Sequence, residues 1–412
     1  FWGDVILGPS NYLGLLKEFL DKRFIAMFDL SDKMEPSSPS VSTEMACRGC
    51  AAKLPAKNLQ NALKEAHLVN LVSLPEDCAV VESPKSDYIH LQSVDGFPAL
   101  INDPWLNGRL TALHACSDIW AKGASINSAQ AIITLPIAPN LIQEKLLSQS
   151  LLGIQSALEP QGAKLIGGHT LETRSRSNDS FGLNIQISIA VNGLLSKNES
   201  LWPINGLRPG DILLLSRGIG SGVIFFAAMY GALSPYVLDE AIMTLNNSQY
   251  ELIKRLRNIE RKSSEKNLIH ACTDITGFGL LGHLAQMLET SNQHREKSFK
   301  PFLSIDLDLD CIPTLKGALN LLDKGFVSTL SPANSQSFRF LIPQDKTSKT
   351  GINVFVDSKI IEANKIEEKE YKSLFNLIID PQTCGPLLVA CEETLANDLV
   401  AFDNWTRIGN VN

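Results

Sequence analysis

Two cysteines and a lysine, the side chains best suited to covalent or redox chemistry, lie close together near residue 50. The segment "CRGCAAK" places Cys47, Cys50 and Lys53 within seven positions. A nearby ammonium group lowers the pKa of a thiol from its free value of about 8.5 and favours the nucleophilic thiolate. A lone C-x-x-C is only half of a zinc site, and no second pair of ligands follows at suitable spacing. The residues therefore leave a nucleophile, a dithiol redox pair and a metal site as alternatives, with metal the least favoured.

Four aspartates share one kind of local setting, at the end of an apolar run and beside small residues. They are Asp77, Asp95, Asp118 and Asp274. Each alone is more often a helix cap or a turn residue. If they converge, two unit charges about 4 Å apart repel by about 4 kcal/mol at an effective dielectric near 20, so a cation is required. Oxygen ligands without accompanying His or Cys favour Mg²⁺ with the phosphates of a nucleotide.

Glycine-rich segments offer backbone N–H groups that phosphate oxygens can approach. We expect glycine turns at "LIGGHT", with Gly168, His169 and Thr170, and at "SRGIGSG", with Gly218, Gly220 and Gly222. Neither fits the P-loop pattern. Tight turning without a ligand is the alternative for both, and a cap is the alternative role for His169.

Composition narrows the classes of function. The chain has 412 residues, of which 44% are hydrophobic, and a formal net charge of −7, so it can bury large cores and has no broad basic surface for nucleic acid. The most apolar window, 222–238, is interrupted by Gly231 and Pro235, which predicts a buried helix ending near the proline and no membrane span. No signal peptide is recognisable, and eight dispersed cysteines are typical of reduced cytosolic thiols, so we predict a cytoplasmic protein.

The elements that must position these residues follow a linker. Residues 1–34 predict an amphipathic helical tail, with a membrane-surface helix as the alternative, and the Ser/Pro-rich residues 35–44 predict a linker. Beyond it, "AKNLQNALKEA" predicts a helix, and "YIHLQSVD", "AQAIITLP" and "LNIQISIAVNGLL" predict strands. We predict an α+β chain of two αβ domains, at residues 45–196 and 205–412.

In order and spacing, the motifs resemble the selenophosphate synthetase family, part of the ATP-binding superfamily that includes aminoimidazole ribonucleotide synthetase. The resemblance spans about residues 45–412. It rests on "CAAK", "EDCAVV", "SVDGF", "NDPWLNGRLTALHACSDIWAKGA", "GAKLIGGHT", "TDITGFGLLGHL" and "DPQTCGPLLV". It implies two domains of that superfamily's fold (PurM-like) and a homodimer whose N-terminal strands pair. It also implies conversion of selenide, ATP and water to selenophosphate, AMP and orthophosphate.

The resemblance also implies roles for individual residues. Cys50 and Lys53 would be catalytic, with Lys53 at the nucleotide phosphates. Mg²⁺ would be held by Asp77, Asp118 and Asp274, and a monovalent cation requirement is left open. The ATP site would comprise Lys53, Leu74, Pro75, Glu76, Asp95, Asp118, Gly168, His169 and Thr170, the last three from the partner subunit.

Several positions depart from the pattern that the resemblance leads us to expect. His114 stands at a usual Asn, Glu76 at a usual Asp, and Cys384 and Pro386 at a usual Ser and Gly. The metal aspartates and the Cys50/Lys53 pair are kept, which favours an active enzyme. Another ATP-using enzyme of the superfamily, such as a thiamine-phosphate kinase, and a non-catalytic nucleotide-binding redox module are the alternatives.

The residues before the linker resemble a different family. "LGLLKEFLDKRFIAMF" is similar to the C-terminal tail of flavin-dependent NADH-dehydrogenase-like proteins. Together with Phe at position 1, this resemblance predicts that the chain is the C-terminal part of a fusion with such a flavoprotein.

Overall fold

The structure is a computed structural model that describes residues 49–53, 56–66, 76–173, 185–264, 267–341, 351–361, 365–366, 368–402 and 404–412. The predicted helical tail and linker lie outside these residues. A short 3₁₀ helix at Gly49–Ala52 opens the described part, and helix α1 follows at Ala56–Glu65, where "AKNLQNALKEA" predicted it. The predicted domain boundaries stay predictions.

Five strands form the first sheet, in the order β1-β2-β5-β3-β4. Their bounds are Ala79–Val81 for β1, Tyr88–Pro98 for β2, Ser125–Leu135 for β3, Lys164–Glu172 for β4 and Gln186–Ser196 for β5. Strands β3 and β4 are parallel, and the other neighbours are antiparallel. Side chains alternate between buried and more exposed along β3 and β5, as expected when one sheet face is covered. The three strands predicted from sequence are confirmed as β2, β3 and β5.

Two long helices cover one face of this sheet. Helix α2 spans Pro104–Ala121 and contacts β2, β3 and β5, and helix α3 spans Asn140–Leu158 and contacts β3 and β4. The Asp103 carboxylate accepts a hydrogen bond from the Leu106 N–H at 2.9 Å, and Pro104 takes the first helical position, so the start of α2 is well specified. Helix α2 also contacts the second sheet, which makes it central to the molecule.

Glycines set the close crossing of α2 and α3. A Cβ atom added at Gly153 would lie 1.8 Å from the Trp105 carbonyl oxygen, and one at Gly108 would lie 2.2 Å from that of Ser150. Gly153→Ala is therefore expected to lower the free energy of unfolding by about 3 kcal/mol, because backbone must move, although alanine is the better helix former. Chemical denaturation measures this, with Ser148→Ala on the exposed face of α3 as the control. Equal stability of the two variants would contradict the close crossing.

The second sheet has seven strands, in the order β10-β9-β8-β12-β6-β11-β7. Their bounds are Ile212–Leu215 for β6, Ile269–Asp274 for β7, Ile305–Asp308 for β8, Ile352–Val356 for β9, Lys359–Ile360 for β10, Leu387–Cys391 for β11 and Thr406–Val411 for β12. Only β8 and β9 pair in parallel among these strands. Strands β6, β7 and β11 are buried along their whole length, which suits the centre of a covered sheet.

Eight helices accompany the second sheet in the described ranges. They are α4 at Ser221–Met229, α5 at Pro235–Leu245, α6 at Tyr250–Lys262, α7 at Gly279–Lys297, α8 at Ala318–Asp323, α9 at Ser331–Asn334, α10 at Lys372–Ile379 and α11 at Glu393–Phe402. The apolar window at 222–238 contains a buried helix, α4, as predicted, but this helix ends at Met229 rather than near Pro235, which begins the next helix. In the part of the chain that the structure describes, no helix has the length and apolarity to cross a membrane.

The two sheets and their helices share one hydrophobic core. Polar side chains also bridge the halves: the Arg109 guanidinium donates to the Asn246 side chain at 2.6 Å, and the Arg257 guanidinium donates to the Gly123 carbonyl at 2.7 Å. Six cysteines of the described residues are free thiols, and five of them are buried.

Candidate active site

Helix α2 presents a column of polar residues to the junction of the two sheets. His114 and Asp118 are four positions apart and so lie on the same helix face, and Lys122 directly follows the helix. The helix ends at Ala121, and the chain then turns at Gly123, whose positive φ of 69° suits glycine and whose missing Cβ leaves room for the Arg257 guanidinium. The positions of His114, Asp118 and Lys122 are therefore set by helix α2 and by the turn that follows it.

A chain of polar contacts runs from the cysteine-containing segment into α2. The Lys53 ammonium lies 2.8 Å from an Asp95 carboxylate oxygen on β2, and the His114 Nε2 lies 3.0 Å from the same oxygen. Burial opposes the charge of Asp95, but the contacts with His114 and Lys53 hold the pKa of this carboxyl well below its usual range. Asp95 is therefore a stable anion that positions Lys53.

The second half of the molecule completes this chain. The backbone N–H of Cys384 donates to the His114 Nδ1 at 3.2 Å, while the His114 Nε2 lies against Asp95, so the imidazole bridges the two. The Cys384 thiol donates to the Leu110 carbonyl at 3.1 Å. Two of the departures noted in the sequence, His114 and Cys384, thus contact each other.

Three of the four aspartates converge at the same junction. Thr273, at the end of β7, donates its hydroxyl to Asp77 Oδ1 at 2.9 Å, so Asp77 lies beside Asp274. The Ser117 hydroxyl donates to Asp274, and the Ser93 hydroxyl donates to Asp118. The structure therefore brings together the aspartates that the sequence placed in separate motifs.

The convergence makes the aspartates hard to ionise together. Burial and the neighbouring charges of Asp274 and Asp77 raise the pKa of Asp118 well above its usual value. Burial and the charge of Asp77 likewise raise the pKa of Asp274 to about 6. A cation placed among them would relieve this repulsion.

The carboxylate oxygens of the three aspartates suit a hard cation that also takes ligands from outside the protein. In the described ranges, no group of three or more His, Cys, Asp or Glu side chains is arranged to hold a metal ion by itself. The carboxylates are instead turned toward Ser93, Ser117, Thr273 and Lys122. Mg²⁺ commonly takes one or two carboxylates and completes its shell with water and phosphate oxygens. The residues therefore fit Mg²⁺ that arrives with a phosphate ligand.

One member of this cluster, Lys122, was not predicted from the sequence. Its ammonium lies 3.0 Å from Asp77 Oδ2 and also contacts a Glu76 carboxylate oxygen, with only 4% of the side chain exposed. Burial disfavours the charged form, but Asp77 and Glu76 raise the pKa of Lys122 above its usual value. A lysine after a helix is ordinarily solvent-exposed, so the only signal was its position four residues after Asp118.

The segment expected to form a turn at "LIGGHT" is a strand, so that expectation is wrong. Gly168, His169 and Thr170 lie in β4, where the absence of a Cβ at Gly168 lets the backbone approach the Ala131 carbonyl closely. Asp95, on β2, and Gly168 lie in one row across the sheet, three strand spacings or roughly 14 Å apart. Within one chain, the β4 residues are therefore separate from the aspartate cluster.

The other glycine segment is a turn, as expected, but its amides already have partners. The Gly220 N–H donates to the Gln382 side-chain oxygen at 2.8 Å, and the Gly222 N–H donates to an Asp380 carboxylate oxygen at 2.9 Å. These contacts hold the "DPQTCG" loop against the start of α4. This turn therefore has a structural role in the described chain.

Some predicted site residues cannot be placed. Cys47, Leu74, Pro75 and the side chain of Cys50 lie outside the described residues, whereas the Cys50 backbone belongs to the 3₁₀ helix at Gly49–Ala52. Gly49 has a positive φ of 65°, and a Cβ there would lie 2.7 Å from the Thr383 side-chain oxygen. The backbone before Lys53 is thus close to the "DPQTCG" loop.

Comparison with known proteins follows the two halves of the fold. Residues 75–195 match the family model described as AIR synthase related protein, N-terminal domain, and residues 208–296 match the corresponding C-terminal domain. Together these regions span just over half of the chain. The thiamine monophosphate kinase structure from Aquifex aeolicus is similar in fold, with a TM-score of 0.55 and 15% identity over 87% of this chain and 96% of that one.

Curated relatives that share one name match most of the chain. A protein of Clostridioides difficile named selenide, water dikinase is 28% identical over 365 residues, which cover 87% of this chain and 90% of that protein. A protein of the same name from Nitratidesulfovibrio vulgaris is 29% identical over 346 residues, or 82% of each chain. The two domains confirm the predicted α+β fold, and the chain belongs to the AIR synthase related family, in which it is similar to proteins named selenide, water dikinase.

Proposed function

We propose that the protein makes selenophosphate from selenide, ATP and water, with release of AMP and orthophosphate. The observation that carries the proposal is the match over more than four fifths of both chains to proteins named selenide, water dikinase. The likeness to thiamine monophosphate kinase, at 15% identity, extends to the fold alone. Lys53 and Asp95 lie near the three converging aspartates, and this combination of charges supports phosphoryl transfer as the chemistry.

The proposed roles follow from charge and position. Phosphoryl transfer depends mainly on placing the reactants and neutralising phosphate charge. Lys53, 33% exposed and held by Asp95, can reach a phosphate at the edge of the site. Asp77, Asp118 and Asp274 would hold Mg²⁺, which when bound would neutralise phosphate oxygens. Glu76 borders this cluster, and Leu74, Pro75, Asp95 and Asp118 complete the proposed ATP contacts of the chain.

Selenide is a soft anion and needs a site distinct from the oxygen cluster. Cys50 carries the soft atom of the segment, and its backbone is three residues from Lys53. We assign selenium handling to Cys50 and charge compensation to Lys53, because an anionic nucleophile must approach phosphates that repel it. Cys47 is assigned no step.

A homodimer would explain the position of β4. Val94, Ile132, Ile166 and Leu171 leave 46–70% of their area exposed on the first sheet, and His169 is exposed beside Ile132. Pairing of two such sheets would cover the apolar side chains and bring Gly168, His169 and Thr170 to the partner's nucleotide. Sedimentation of the chain as a monomer at micromolar concentration would contradict this proposal.

The fused flavoprotein, the monovalent cation and the cytoplasmic location stay predictions.

The activity can be tested directly. The protein is incubated anaerobically with ATP, Mg²⁺ and selenide, and ³¹P NMR follows AMP and a species with a phosphorus–selenium bond. We expect both to form only when selenide is present. ATP consumption that stops at ADP, or that ignores selenide, would favour another kinase of the superfamily, and no ATP consumption would favour the redox module.

A further inference from the structure

Lys122 is a buried ammonium group inside a cluster of carboxylates. It contacts both Asp77 and Glu76, and its side chain is 4% exposed. A charge removed from water is costly unless it is paired and hydrogen-bonded. The two contacts supply that pairing, so the cluster already contains one positive charge that belongs to the chain.

The other carboxylates of the cluster have no such charge against them in the contacts described above. Asp118 and Asp274 are hydrogen-bonded by Ser93 and Ser117, whose hydroxyl groups are neutral. Asp77 and Glu76 are instead paired with Lys122. Lys122 therefore offsets one negative charge of Asp77 and Glu76, whereas Asp118 and Asp274 are bonded by neutral donors.

The backbone fixes Lys122 independently of its side chain. Its N–H donates to the Ile119 carbonyl at 3.1 Å, and its carbonyl accepts from the Arg257 Nη2 at 3.0 Å. Arg257 also donates to the Gly123 and Ser200 carbonyls. The ammonium is consequently tethered where it is, unlike an ion that exchanges with solvent.

We propose that Lys122 is a resident cation of the carboxylate cluster, which offsets one of the two negative charges of Asp77 and Glu76 and so lowers the affinity and number of divalent ions that the cluster binds. The inference rests on the metal site of the proposed function. In this view, the Lys122 ammonium supplies a permanent part of the positive charge that the carboxylates need. Divalent ions that arrive with the substrate supply the rest.

Divalent ion binding without nucleotide tests the proposal. Mn²⁺ serves as the probe, and electron paramagnetic resonance counts the free ion in titrations of wild type, Lys122→Met, Lys122→Gln and Lys122→Arg. We expect the two neutral variants to bind Mn²⁺ at least about tenfold more tightly, or to bind one more ion per chain, because a positive charge has left the cluster. Lys122→Arg should match wild type, as should Lys254→Met, which removes an exposed lysine on α6.

Folding of the variants is part of the test. Lys122→Gln keeps a hydrogen-bonding group for Asp77 and Glu76. It therefore provides the Mn²⁺ measurement if Lys122→Met does not fold. Neutral variants that fold only with Mn²⁺ present would also support the proposal, since the ion would have replaced the ammonium. Folded neutral variants whose Mn²⁺ affinity and stoichiometry stay within threefold of wild type would overturn it, as would neutral variants that Mn²⁺ fails to restore.

The outcome is independent of the catalysed reaction. A protein that consumes ATP without selenide would contradict the proposed function, yet the difference in Mn²⁺ binding between wild type and Lys122→Met would be unchanged. Conversely, the protein could show selenide-dependent activity while wild type and Lys122→Met bind Mn²⁺ equally. That result would support the proposed function and contradict the role of Lys122.

Discussion

Cys50→Ser is expected to reduce selenide-dependent AMP formation on the order of 10³-fold or more, the scale of losing a residue that acts directly on the reacting atom. A serine hydroxyl is not ionised near neutral pH and lacks the soft sulfur that suits selenium. The backbone of this segment is held near the "DPQTCG" loop by the close approach of Gly49 to Thr383. The substitution changes one atom and should leave that packing intact. AMP release under anaerobic conditions measures the effect.

Cys47→Ser is the matched control for this substitution. It makes the same chemical change three residues earlier in the same segment. We expect its activity to stay within about twofold of wild type, since only Cys50 is assigned to selenium. Equal losses in the two variants would argue instead for a Cys47–Cys50 disulfide or dithiol function.

Lys53→Met should lower kcat/KM for ATP by about 10²- to 10³-fold, the range for removing one preorganised charge-stabilising group. The methionine keeps the length of the side chain but loses the charge that faces the phosphates. Asp95 would lose the ion pair at 2.8 Å and keep its contact with His114. Steady-state kinetics with varied ATP at saturating selenide measure this effect.

The control for Lys53→Met is Lys254→Met. Lys254 is exposed and pairs with Glu251 on its own helix, so its loss should leave kcat/KM unchanged. Circular dichroism of both variants establishes that they are folded. A Lys53→Met enzyme within threefold of wild type would contradict the assignment of Lys53 to the phosphates.

Sequence patterns predicted the elements that depend on local periodicity. The alternation in "LNIQISIAVNGLL" predicted β5, and the helical spacing of "AKNLQNALKEA" predicted α1. The pair of glycines in "LIGGHT" was misleading because glycine serves both tight turns and close contacts between strands. In β4 the glycine serves a close contact between strands, which is evident only once the neighbouring strand β3 is known.

The candidate site was predictable in its residue types but not in its pairings. Similar settings marked Asp77, Asp118 and Asp274, whereas nothing local to Lys122 indicates that Glu76 and Asp77 neutralise it from about 45 residues away. Likewise, His114 and Cys384 are 270 positions apart, and as separate departures they gave no sign that one hydrogen-bonds the other. Contacts between distant segments depend on the assembled fold, which periodicity does not encode.

The bond from the Cys384 N–H to His114 gives the site a mechanical property. His114 belongs to α2 beside the first sheet, whereas Cys384 belongs to the loop before β11 in the second sheet. The same imidazole holds Asp95, which holds Lys53. A displacement of the loop before β11 relative to α2 would therefore be passed through His114 and Asp95 to Lys53. A contact in the second half of the chain thus helps to set the position of an ammonium group in the first half.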